Sequence, residues 1–168
     1  MGGGQHNGQS DAIWYFGYGS NMSPAIFHER RQMRPLAVRW GWLEGYQLCF
    51  NIPVGPGERG VANVEPAAGA RICGVVYLLP AAECDRLDRT EGVHVGLYQR
   101  IPVSVQVAGA CLSAFTYQSR LTHDGRKPSA RYMGLLLAGA RHHGLPAEYI
   151  AHLESFELAW DERVAAQR

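Results

Sequence analysis

Through its first two thirds the chain alternates short apolar runs with glycine- and proline-rich breaks. The run IWYFGY, stopping at Gly19, is aromatic and β-branched, which favours an extended strand. LAVRWGWLEGYQLCFN alternates loosely around Gly45, predicting two strands about a tight connection or a bulge at that glycine. Trp40 and Trp42 share one face of this run and are assigned to the core. NIPVGPGERG holds two prolines and three glycines in ten residues and reads as a loop. GVANVEP and ARICGVVYLLP follow as two strands, the second apolar enough to be central.

At Pro80 the period changes. PAAECDRLDRTEG opens on proline and closes on Gly92, predicting one short helix. LYQRIPVSVQVAG and ACLSAFTYQS return to alternation and meet at Ala108-Gly109 as a hairpin. After the polar loop RLTHDGRKP, the segment SARYMGLLLAGARHHG sets Tyr132, Leu135, Leu136 and Ala140 at helical spacing. Ser129 is placed to cap its start and Gly144 its end. LPAEYIAHLESFELAW opens a further helix at Pro146, with Tyr149, Ile150, Leu153 and Phe156 on one face. Strands first and helices last predict an α+β domain with a curved sheet or small barrel.

Composition narrows this picture. With 168 residues, 46% of them hydrophobic and 18% charged, the chain is sized for one globular domain. MGGGQHNGQSD, residues 1–11, is read as a disordered lead-in, with no secretory signal and no completed myristoylation motif. Residues 12–168 are read as the single domain. A formal charge of +1, with arginines scattered along the chain, makes no electrostatic case for nucleic acid. No apolar run approaches the roughly 18 residues of a membrane helix. Cys49, Cys73, Cys84 and Cys111 form no C-x-x-C pair, and three lie in apolar, strand-like runs. They are read as reduced core residues of a cytoplasmic protein.

Most chemical signatures are missing. GYGSNM lacks the third glycine and the βαβ setting of a dinucleotide site, and neither a phosphate-binding P-loop nor G-x-S-x-G occurs. His142 and His143 would point about 100° apart on a helix, wrong for one metal, and read as an exposed helix end. Ser20 stands where nucleophiles stand, but no histidine is marked as its base. Carboxylate acid–base chemistry remains. Glu91 is its candidate, because a helix C-terminus opposes ionisation and raises a carboxyl pKa.

YFGYGSNM, LDRTEGVHVGLYQRIPV and PSARYMGLLLAGARHHGLPAEYIAHL together resemble the γ-glutamylcyclotransferases, in the same order and across roughly residues 13 to 157. The resemblance implies a small, closed or nearly closed mixed β-barrel flanked by helices. It implies release of the group carried on a γ-glutamyl residue as that residue cyclises to 5-oxoproline. By the same resemblance, Tyr15, Phe16, Gly17, Tyr18, Gly19 and Ser20 line the substrate site, Glu91 is the acid–base residue, and Tyr132 contacts the glutamyl moiety. Asn21 and Tyr98 are carried over by motif position. Backbone N–H groups at Gly19, Ser20 and Asn21 are candidates to hold a carboxylate or an oxyanion. The implied partner is a small γ-glutamyl substrate, without cofactor, metal, nucleic acid or membrane, and a homodimer is a candidate assembly. Relatives that act on glutathione or γ-glutamyl-ε-lysine carry Y-G-S-L or Y-G-T-L in place of Y-G-S-N. A non-catalytic binding member of the fold is the remaining alternative.

Overall fold

The computed structural model describes residues 11–160, so nearly all of the expected lead-in lies outside the described residues. Five strands close into a barrel: β1 (Ala12–Gly17), β2 (Ala37–Pro53), β3 (Gly60–Pro80), β4 (Gln99–Val107) and β5 (Ala110–Gln118). Their order around the barrel is β1-β3-β2-β4-β5. Neighbours are antiparallel except at the closing seam, where β1 meets β5 in parallel at Tyr15↔Phe115. Side chains reinforce that seam. Thr116 Oγ1 donates to the Phe16 carbonyl at 2.7 Å, and the Tyr18 hydroxyl donates to the Tyr117 carbonyl. The result is the closed mixed barrel that the resemblance implied.

The two longest strands correct the sequence reading. What reads as four strands is two, because a bulge lets each strand continue. At Gly45, in left-handed backbone with φ of 79°, the register jumps from Glu44↔Arg71 to Tyr46↔Pro66. The ladder therefore resumes instead of ending. Between β1 and β2, where the periodicity marks no element, the chain makes a 3₁₀ turn at Ser20–Met22 and a π-helical turn at Ala25–Arg30.

Among the described residues three α-helices pack outside: α1 (Ala81–Thr90), α2 (Ala130–His142) and α3 (Ala147–Glu154). Helix α1 buries Cys84 and Leu87 and ends where Gly92 turns left-handed at φ of 70°. In α2, the Ser129 Oγ accepts from the Tyr132 N–H at 3.1 Å, as a capping serine should. Helix α3 stops at Glu154, so Phe156 lies beyond it and packs against Phe50 from the following turn. Helix α2 lies hard against the 3₁₀ turn. A Cβ added to Gly139 would overlap the Met22 backbone, so only glycine permits this approach.

Three side-chain expectations change with the barrel. Trp40 and Trp42 do share a face, but it is the outer one. Trp40 is 39% exposed, whereas Trp42 is half-buried beneath Tyr149 of α3, with the Arg71 guanidinium 3.8 Å over its ring. All four cysteines are free, yet only Cys73 and Cys84 are buried. Cys111 is exposed beside the hairpin turn and Cys49 half-buried, because apolar neighbours do not decide which way a strand residue points. His142 is exposed, but His143 is drawn in, with Nε2 at 3.4 Å from the Tyr77 hydroxyl. No described helix is long and apolar enough to cross a membrane.

Candidate active site

Glu91 follows the last residue of α1, and its backbone N–H still donates to the Leu87 carbonyl at 3.0 Å. The helix end aims its carboxylate inward, toward the turn that follows β1. There Asn21 Nδ2 donates to Glu91 Oε1 at 2.7 Å and to the Tyr15 hydroxyl at 2.9 Å. Tyr77 holds the Asn21 backbone in turn, donating to its carbonyl at 2.8 Å. Asn21 therefore joins the first strand to the end of α1, and its buried Oδ1 has no partner.

An open cavity of about 40 Å³ lies over these groups. Of the ten residues expected at the site, eight line it: Tyr15, Tyr18, Gly19, Ser20, Asn21, Glu91, Tyr98 and Tyr132. Phe16 and Gly17 do not. Alternation along β1 turns the fully buried Phe16 ring away, onto Gly74, and Gly17 is packed between Tyr15 and Tyr77. Ala62 and Tyr117 complete the lining. The Ala62 N–H donates to the Tyr132 hydroxyl at 3.0 Å, and its carbonyl accepts from Tyr98 at 2.9 Å. Only its backbone acts, so no side chain announces it in the sequence. Tyr117 could have been found, since alternation in ACLSAFTYQS puts it on the face of Phe115. It donates to Asp88 Oδ1 at 2.6 Å, where Arg100 Nε also donates, at 2.8 Å.

Arg31 is the other residue that sequence reasoning passed over, because the segment after the turn shows neither period. It follows the π-helical turn and sets Nη2 at 3.7 Å from Glu91 Oε1. The Glu91 carboxyl is nevertheless pushed above its ordinary value of 4.5. Burial is the largest cause and Asp88 adds to it, while the Arg31 guanidinium and the Asn21 hydrogen bond oppose it. Burial likewise holds Tyr15, Tyr18 and Tyr98 protonated and pushes Tyr132 up to about 12. Tyr15 and Tyr132 each accept a hydrogen bond, which leaves their own O–H protons for a ligand. The 3₁₀ turn is closed by the N–H groups of Met22 and Ser23, so it makes no use of those at Gly19, Ser20 and Asn21. A Cβ on Gly19 would meet the Tyr132 hydroxyl at 3.1 Å and the Ala62 Cβ at 3.2 Å. Among the described residues no cluster of three or more His, Cys, Asp or Glu side chains could hold a metal ion.

The site is thus a buried carboxylate facing phenolic and backbone donors across a small cavity. Residues 71–153, which include Glu91, Tyr98 and Tyr132, match the model of the AIG2-like family. A gamma-glutamylcyclotransferase of Bos taurus is 31% identical over 154 residues, covering 88% of this chain and 80% of its own. The chain belongs to the gamma-glutamylcyclotransferase family. Another relative, the gamma-glutamyl cyclotransferase gliK of Claviceps purpurea, is 34% identical over 76% of this chain and 63% of its own length. A solved structure named gamma-glutamyl cyclotransferase superposes with a TM-score of 0.78 at 24% identity, covering 94% of this chain and 98% of that one, and shows the shared fold.

Proposed function

We propose that this gamma-glutamylcyclotransferase family member cyclises the glutamyl group of γ-glutamyl amides to 5-oxoproline and releases the attached amine, with Glu91 as general base and then general acid. The observation that carries this reading is the Glu91 carboxyl. It is buried, raised in pKa and open to the cavity. The reaction needs no nucleophile from the protein, because the α-amine of the substrate attacks its own γ-carbonyl. That amine enters as an ammonium. Glu91 takes one of its protons, the freed nitrogen adds to the carbonyl carbon, and an oxyanion forms. As the oxyanion collapses and the amide C–N bond breaks, Glu91 hands its proton to the departing nitrogen. The ring nitrogen, which still carries one proton more than the lactam, then releases it to the Glu91 carboxylate so regenerated, from which it passes to the departing amine or to solvent.

A carboxylate in water is too weak a base for an ammonium, so a raised pKa brings Glu91 nearer the basicity the step needs. The protonated tyrosines and the backbone N–H groups that the 3₁₀ turn does not use in its own closure suit the two negative charges of the reacting group, its α-carboxylate and its oxyanion. Closure further requires amine and carbonyl carbon to meet at about 3 to 3.5 Å, which a narrow cavity favours.

In the test, Glu91→Gln is incubated with a panel of γ-glutamyl amides and 5-oxoproline is followed by mass spectrometry. The variant is expected to fold and to bind substrate while kcat falls by roughly 10² to 10⁴. Full activity in Glu91→Gln would overturn the assignment.

A further inference from the structure

A second cavity, of about 220 Å³, shares Tyr132 with the first as a common wall. The two also touch consecutive residues of β3, the second at Val61 and the first at Ala62. The second cavity is lined by three arginines, Arg30, Arg59 and Arg131, and by no acidic residue. Among the described residues, none of the three has a carboxylate within 4.0 Å, although six other basic side chains do. Arginines left without counter-ions around one hollow repel each other, an arrangement that an anionic ligand relieves.

The three come from separate parts of the fold. Arg30 ends the π-helical turn, one residue before the Arg31 that faces Glu91, and Arg131 lies in the first turn of α2, one residue before Tyr132. Arg59 sits on the loop between β2 and β3, and its backbone is pinned. Its carbonyl accepts from the Val54 N–H at 3.0 Å and from Arg126 Nη1 at 3.1 Å, while the next N–H, of Gly60, donates to Lys127 O at 2.8 Å. The loop therefore presents Arg59 at a settled position.

We infer that the cavity lined by Arg30, Arg59 and Arg131 receives the leaving group, and that the chain prefers γ-glutamyl amides whose leaving amine carries two negative charges. This rests on the cyclotransferase activity proposed above. A dicarboxylic amino acid and a phosphorylated amine both supply such a group. Each matches arginine geometry, since planar guanidinium groups bind carboxylate and phosphate oxygens in pairs. One α-carboxylate would engage only part of this charge.

The discriminating pair is γ-glutamyl-glutamate against γ-glutamyl-glutamine, which share shape and differ by one charge. For the unaltered chain, kcat/KM measured by 5-oxoproline release is expected to favour the glutamate compound by about tenfold or more, chiefly through KM. The ratio should fall toward one in Arg59→Gln and in Arg131→Gln, because the glutamate compound loses more than the glutamine compound does, and it should shrink with added salt. γ-Glutamyl-phosphoethanolamine forms the third arm. If it exceeds γ-glutamyl-glutamate the subsite is a phosphate site, and if it falls below, a dicarboxylate site; both support the inference. Equal use of the glutamate and glutamine compounds, or a preference that survives both variants, would overturn it and leave the cyclotransferase activity standing. Absence of 5-oxoproline from every compound would overturn both.

Discussion

At Glu91 two requirements conflict, and the pH dependence of the protein exposes the conflict. Burial favours the protonated form, whereas the proposed first step uses the carboxylate. Activity should therefore rise with pH through an apparent pKa above 4.5, the ordinary value for the group. Arg31 and Asn21 both favour the ionised form. In Arg31→Met and Asn21→Leu the acidic limb of the kcat/KM profile is expected to move to still higher pH, and an unmoved limb would argue against the arrangement. Stability should run the other way. A carboxyl whose folded pKa is raised contributes stability below its unfolded value and loses it as pH rises through the folded one. Glu91→Gln should then melt at a higher temperature than the unaltered chain at neutral pH, with the difference fading below about pH 4.5, the ordinary carboxyl value.

Among the elements, the contact between α2 and the 3₁₀ turn decides whether the cavity keeps its shape. Gly139 lets α2 seat on Met22, and the same helix carries Tyr132 over Gly19. Gly139→Ala is expected to cost about 1 to 3 kcal/mol in denaturant unfolding, the usual cost of overpacking. Activity should fall further than the stability loss alone implies, because Gly19 and Tyr132 would part. Helix periodicity announced α2 and its serine cap. It could not announce that the helix packs on a turn, since the turn has no period of its own. For the same reason the segment holding Arg31 and Arg30 stayed silent in the sequence while supplying charge near both cavities.

For the whole molecule, closing the barrel carries His143 from an expected helix surface to the half-buried ground beside Tyr77. Burial, assisted by His142, lowers its pKa from the ordinary 6.5 to about 4. Across that interval the unfolded chain binds the proton that the folded chain refuses. Thermal stability should therefore be complete above about pH 6.5 and fall as pH drops toward 4. His143→Gln should flatten that slope in calorimetric scans, and an unchanged slope would assign it to other groups.

Local pattern was enough to declare β1, β4 and β5, the extended character of β2 and β3 though not their unbroken length, the helices α1 and α2, the opening of α3 and the odd position of Glu91, because each depends on neighbours a few residues away. The motifs around Gly19, Glu91 and Tyr132 carried the family resemblance for the same reason. What depends on residues far apart was settled only by folding. Alternation says that two residues share a face but not which face is inside, hence the outward Trp40 and the exposed Cys111. It likewise left Phe16 and Gly17 among the expected lining, and gave no sign that the Ala62 backbone joins Tyr98 to Tyr132. Arginines that look scattered at positions 30, 59 and 131 surround one hollow once β2, β3 and α2 come together. Charge in a sequence is a list, and only the closed barrel turns part of it into a site.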